Sequence, residues 1–165
     1  MAEADAKAGA PGGAASGDAR LAAIYQDIIL DHYRRPRGKG TLNAPAGADV
    51  LAAERRNPLC GDEISLQLAL DGDVVREARF TGQGCSISQA SASMLTQAVR
   101  GKTRAEAEAL VKQFVALAHG DAAAAADPAM KEMRALSGVA RFPARIRCAT
   151  LAWGALDDAL KGGER

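Results

Sequence analysis

Three cysteines and one aspartate carry the reactive chemistry of this chain. Cys60 and Asp62 flank Gly61, Cys85 follows the run Gly82-Gln83-Gly84, and Cys148 stands far downstream in Arg145-Ile146-Arg147-Cys148. Thiolates with a carboxylate suit a divalent cation, and Cys60, Asp62, Cys85 and Cys148 together make a four-ligand set for tetrahedral Zn²⁺. A lone cysteine is often only a small buried hydrophobe, and the paired CxxC spacing of zinc ribbons is absent. Local context argues for the metal. Gly61 allows the tight turn that lets Cys60 and Asp62 converge. Cys85 opens a helix, where the dipole and free N–H groups favour the thiolate. Arg145 and Arg147 beside Cys148 are expected to stabilise its anion and to offset the negative charge that four anionic ligands leave around one Zn²⁺.

These residues need elements that bring them together. Ile64, Leu66, Leu68 and Leu70 alternate with Ser65 and Gln67, a half-buried strand. Asp71-Gly72-Asp73 is a turn, and Val74 to Thr81 returns as a second strand. An antiparallel hairpin sets the start of one strand beside the end of the other, so Cys60 and Cys85 meet at one end. A short edge strand is expected near 50–55 in the long connection 36–58.

Helices supply the rest. Asp18 reads as the N-cap of a helix that buries Leu21, Ile24, Tyr25, Ile28 and Ile29 and stops at Pro36 and Gly38. After Cys85, the residues Ile87, Ala90, Met94, Leu95, Ala98 and Val99 mark a second helix, ending at Gly101. Thr103 and Glu106 form a capping box for a third, with Ala107, Leu110, Val111, Phe114 and Leu117 inward. Between His119 and Phe142 the pattern weakens to an inserted connection with one short helix around Met130, Met133 and Leu136. Pro143 opens a final helix carrying Cys148, Ile146, Ala149, Trp153, Leu156 and Leu160, closed by Gly162-Gly163. The fold class expected is α+β, a small antiparallel sheet of about three strands with helices on one face. Residues 1–19 are expected to be a disordered Ala/Gly-rich tail and 20–162 a single domain.

Composition narrows the function. Among 165 residues, 48% are hydrophobic and 25% charged, and the formal net charge is +1. That balance gives no electrostatic reason to bind nucleic acid or a membrane surface. No apolar run is long enough to span a bilayer, and the N-terminus lacks the pattern of a secretory signal or transit peptide. A cytoplasmic location is expected, where cysteines are metal ligands or reactive thiols rather than disulfide staples. Other motifs read blandly. Gly82-x-Gly84 is not a dinucleotide fingerprint, Arg34, Arg35, Arg37 and Lys39 suggest a solvated loop, and His32 and His119 are poor candidates for ligands. Tyr25 and Tyr33 read as core or interface residues.

Taken together, Ile24-Tyr25, Asp31-His32-Tyr33, Pro36-Arg37, Cys60-Gly61-Asp62, Gly82-x-Gly84-Cys85-x-Ile87-Ser88 and Cys148 resemble the U-type iron–sulfur cluster assembly proteins, the family of IscU, SufU and the NifU N-terminal domain. The resemblance spans residues 20–161 and implies a SufE/NifU-like fold with Cys60, Asp62, Cys85 and Cys148 at the site. Arg147 stands where the IscU-like scaffolds have histidine, their Leu-Pro-Pro-Val-Lys stretch is missing, and Cys85 and Cys148 are separated by an insertion. These features are similar to the zinc-dependent SufU branch. That branch implies a sulfurtransferase that takes persulfide sulfur from a SufS-type cysteine desulfurase onto Cys60, works with downstream SUF assembly proteins, and holds Zn²⁺ as cofactor. In this reading Arg145 and Arg147 either steady the site or dock the partner. The alternatives are an IscU-type scaffold carrying an iron–sulfur cluster on the same ligands, and a purely structural zinc module.

Overall fold

The computed structural model describes residues 19–162. The Asp18 cap, all of the expected tail but Ala19, and Gly163 lie outside the described residues. Helix α1 spans 19–34. Three strands follow, β1 (Asp49–Asn57), β2 (Asp62–Asp71) and β3 (Val74–Gln83), in the spatial order β1-β2-β3 and antiparallel throughout. Then come α2 (Ser86–Val99), α3 (Arg104–Ala118), the short α4 (Ala122–Ala126), a 3₁₀ segment (Pro128–Arg141) and α5 (Pro143–Leu160). The fold is α+β.

Alternation builds the sheet's inner face. Ile64, Leu66, Leu68 and Leu70 of β2 are buried, with Val75, Ala78 and Phe80 of β3. Helix α5 packs on β1 and β2, and α2 packs on β3. Between the helices, the stacked rings of Phe114 and Trp153 lie 4.5 Å apart. The Trp153 indole donates to Ser91 Oγ (3.0 Å), and Ser91 donates to the Ala149 carbonyl (2.6 Å), so one buried hydroxyl ties α2 to α5. On α1, Tyr25, Ile28 and Ile29 reach the core, whereas Leu21 and Ile24 are exposed.

The structure refines four expectations. The edge strand expected near 50–55 is present and longer: β1 takes nine residues of the segment 36–58, three more than expected. Only Ala53 and Asn57 of β1 are fully buried, and a polar outer strand hides its alternation.

The weakly patterned 119–142 stretch is also more regular than expected. It is helical on both sides of a kink at Lys131 (φ +50°, ψ −128°), with Met130 buried before the kink and Met133, Ala135, Leu136 and Val139 after it.

The basic run is exposed at Arg34, Arg35 and Lys39, as expected, but it is tethered. Arg35 and Arg37 both pair with Asp31, the Arg37 N–H donates to Ser93 Oγ (2.8 Å), and Lys39 donates to Gln89 (2.9 Å). These arginines hold the Asp31 carboxyl down at about 2, Arg35 contributing most.

His32, finally, stands in the last turn of α1 as expected and is also a buried joint. Its Nδ1 meets Ser93 Oγ at 2.7 Å and its Nε2 meets Glu132 at 3.0 Å, joining α1, α2 and the 3₁₀ segment. His119 caps α3, its ring on the Val115 carbonyl.

Candidate metal centre

The β1–β2 hairpin ends in the turn Pro58-Leu59-Cys60-Gly61, between the paired residues Asn57 and Asp62. Cys60 and Gly61 donate their N–H groups to the Asn57 carbonyl at 3.2 and 2.8 Å. Gly61 has φ +74°, a left-handed conformation that costs little without a Cβ. This turn lifts the Cys60 side chain out of the sheet and leaves it exposed. Register then does what the hairpin argument requires: Glu63 of β2 pairs with Gln83 at the end of β3. Cys85, two residues on, is the N-cap of α2.

Asp62 is the hub. Although a carboxylate, it is only 3% exposed. Its Oδ1 accepts from the Cys85 N–H at 3.2 Å and its Oδ2 lies 3.7 Å from Cys85 Sγ. Gly84 makes room for that approach: a Cβ there would stand 2.8 Å from the Asp62 carboxyl carbon and 2.4 Å from Ser88 Oγ. Gly82, at φ +134°, would drive a Cβ into the Glu63 carbonyl at 2.1 Å. The two glycines of the sequence motif therefore have different jobs, one conforming the strand end and the other clearing space beside the carboxylate.

Helix α5 brings the last residue. Cys148 is buried, and its sulfur lies 3.7 Å from that of Cys60. The two sulfurs and a carboxylate oxygen of Asp62 lie within 4.8 Å of one another, and Cys85 adjoins the group through Asp62. Residues from the hairpin tip, the start of α2 and the second turn of α5 thus converge. Burial pushes the Cys148 thiol up, and the adjacent Asp62, Cys85 and Cys60 push it further. The arginines do not counter this. Arg145 is exposed and lies over the Phe142 ring, 5.2 Å from its centroid. Arg147 is also exposed, because a residue one position back on a helix points about 100° away. Their expected stabilisation of the Cys148 anion is therefore not seen in the geometry. A bound cation, by contrast, deprotonates its thiols outright, and the two thiols and one carboxylate of Cys60, Cys148 and Asp62 are a donor set that could hold one, with Cys85 outside that group. Neither histidine is part of the group.

Asn57 belongs to the site and carried no functional role in the sequence. It is 4% exposed, its Oδ1 accepts from the Leu59 N–H at 3.2 Å, and its Nδ2 donates to Cys60 Sγ at 3.3 Å. The available signal was the Asn-Pro dipeptide that starts the turn.

Residues 24–162 match the NifU-like N-terminal domain family. The chain belongs to that family. The resemblance carried by the cysteine motifs is thereby borne out. The zinc-dependent sulfurtransferase SufU of Bacillus subtilis is 46% identical over 142 residues, covering 85% of this chain and 91% of that protein. The iron–sulfur cluster assembly scaffold protein IscU of Streptococcus pyogenes is 43% identical over 145 residues, 86% of each. Among solved structures, a candidate SUF-system scaffold of Fervidobacterium islandicum superposes with a TM-score of 0.68 at 30% identity, over 81% of this chain and 93% of that one. No helix among the described residues is long and apolar enough to cross a membrane.

Proposed function

We propose that this member of the family is a zinc-dependent sulfur acceptor in cytoplasmic iron–sulfur cluster assembly, taking sulfur from a SufS-type cysteine desulfurase for delivery to downstream SUF proteins. The observation that carries the reading is the pairing of an exposed Cys60 on a hairpin turn with a buried Cys148 3.7 Å away. Cys60, Asp62, Cys85 and Cys148 hold the ion. Zinc supplies a means of keeping thiols deprotonated and shielded near neutral pH.

The chain's own residues divide the work. Asp62 and Cys148 are buried, and Cys85, though exposed, is the N-cap of α2, so these three are held by the fold more firmly than Cys60. Cys60 sits on a turn whose remaining side chains face solvent, and it can swing outward. Its sulfur attacks the outer sulfur of the donor's persulfide. The new Cys60 S–S bond forms as the donor's S–S bond breaks, the donor cysteine leaves as thiolate, and Cys60 carries the persulfide. Leu59, 73% exposed beside Cys60, gives the donor protein apolar surface next to the thiol. The similarity to the Bacillus subtilis sulfurtransferase supports this reading over a scaffold, and the donor set alone fits both.

The test is direct. After incubation with a cysteine desulfurase and limiting cysteine, peptide mass spectrometry should find one added sulfur on the Cys60 peptide, and Cys60→Ser should accept none. Sulfur confined to the Cys148 peptide, with Cys60→Ser still stimulating the desulfurase, would overturn the assignment. Reconstitution with iron and sulfide that yields a stable chromophore in place of sulfur transfer would favour the scaffold.

A further inference from the structure

We infer that Asn57 is a positioning residue for sulfur transfer: its buried amide aims the Cys60 sulfur and stabilises it as an anion when it is off the metal. The inference rests on the reading of Cys60 as the acceptor. Three contacts carry it. The Asn57 carbonyl takes both N–H groups of the turn, from Cys60 and Gly61. The side-chain oxygen takes the Leu59 N–H (3.2 Å), and the side-chain nitrogen reaches Cys60 Sγ (3.3 Å). The amide orientation follows from its partners, because the reverse would set an NH₂ against the Leu59 N–H. With 4% exposure, the amide itself is shielded from water, although the Cys60 sulfur that it meets is exposed.

The contacts have separable consequences. The carbonyl and Oδ1 shape the turn, as an Asx side chain at the head of a turn commonly does. The Nδ2–H to sulfur contact adds nothing that the turn needs. It places a neutral donor on the atom that gains and loses negative charge during transfer. A hydrogen bond to a charged group is strong enough to change a rate by about tenfold or more when removed. Because the donor is uncharged, it stabilises anionic sulfur without competing with the cation for the other ligands. Among the groups packed around Cys60, Asp62 is a carboxylate and Cys148 a thiol, so Asn57 is the side-chain amide that meets this sulfur.

The isosteric change Asn57→Asp separates the two roles. It keeps an acceptor for Leu59 and removes the donor to sulfur. In the zinc-loaded full chain, Asn57→Asp should lower the turnover of sulfur transfer about tenfold or more while the apparent KM for the desulfurase stays near wild type. Its added buried carboxylate also lowers Tm, so the uncharged control decides whether the loss comes from the missing donor. Asn57→Ser provides an uncharged control, since its hydroxyl can serve the turn but is shorter than the amide; it should show the same loss. A second readout is independent of transfer. In cobalt-substituted protein, losing the donor makes the Cys60 sulfur more electron-rich, so the sulfur-to-cobalt absorption should move to longer wavelength in both variants. Wild-type turnover and an unmoved cobalt band in Asn57→Asp and Asn57→Ser, with a defect only in Asn57→Ala, would leave Asn57 a turn residue and overturn the inference. If sulfur is instead found on another cysteine of the wild type, the acceptor reading fails, and the cobalt shift still decides whether Asn57 bonds the Cys60 sulfur.

Discussion

Cys60 and Cys148 are 3.7 Å apart and have almost opposite surroundings. Cys60 sits on a hairpin tip held by hydrogen bonds to Asn57, with exposed neighbours on both sides. Cys148 stands in a long helix whose following residues Ala149, Leu151, Ala152 and Trp153 are buried in the core. A thiol on a turn can move a few ångströms at the cost of a few weak contacts. A thiol in a packed helix can move only if the helix does. The lesson is a division of labour between two chemically identical groups, imposed by the elements that carry them.

The largest effect should come from exchanging which of the pair is lost. Cys148→Ser removes a ligand from the rigid wall, so metal retention and stability should fall together. Ligands drawn from the hairpin, the start of α2 and α5 make binding energy part of folding energy. Both Cys148→Ser and chelation of the wild type should lower Tm by on the order of 10 °C, given several kcal/mol of linkage. Cys60→Ser should end sulfur acceptance yet keep more of the metal and of the Tm. Metal analysis beside thermal melts of the two variants checks this. Equal loss of metal in both would erase the contrast between tip and wall.

A subtler change acts on the hub between them. Gly84→Ala sets a methyl group against the Asp62 carboxyl and Ser88. The Ser88 hydroxyl can turn aside, but Asp62 is buried and bonded to the Cys85 backbone, so it must shift. Overpacking of this kind costs about 1–3 kcal/mol. The variant should stay folded and hold metal about tenfold more weakly, as read by competition with a chelating indicator. Unchanged affinity would mean that Asp62 is not held in place by that contact.

How far the sequence foretells this arrangement differs by region. The β2–β3 hairpin was legible because its alternation is strong and its turn is explicit, and the cysteines beside it were legible with it. β1 was legible only in its middle, over 50–55, and its full length was hidden: Glu54, Arg55 and Arg56 face water, and a strand with one neighbour needs little apolar patterning. The 3₁₀ segment was legible only around Met130, Met133 and Leu136, because the kink at Lys131 breaks any single helical period along it. The arginines around Cys148 misled for a geometric reason, because adjacency along a helix is not adjacency in space. The closeness of Cys60 to Cys148 could not be inferred from spacing at all. It depends on α5 crossing β1 and β2, a tertiary contact, and was expected only from the donor chemistry of the four residues and from the family resemblance.

The smallest expected effect concerns how the moving hairpin is tied to the fixed helix. Arg55 of β1 grips Asp158 of α5 through two hydrogen bonds, at 2.8 and 3.1 Å. Gly154 lets it lie there, since a Cβ would come within 2.7 Å of the guanidinium. The bond from Arg55 holds the Asp158 carboxyl below its ordinary value, and the same contact raises Arg55. The sign follows. A depressed carboxylate contributes stability that is fully present above the ordinary carboxylate range and is lost as pH falls through the lowered folded value. Arg55 keeps its charge throughout that window. Both side chains are partly exposed, 47% and 40%, so solvent screening limits the pair to about 0.3–1 kcal/mol. Arg55→Ala should therefore lower Tm by only about 1–4 °C at neutral pH, and the gap should close on acidification below about pH 4. High salt should narrow it too. A gap that persists at low pH and in high salt would mean that Arg55 serves the hairpin through the packing of its aliphatic stem over Gly154, and that the tie between tip and wall is steric rather than electrostatic.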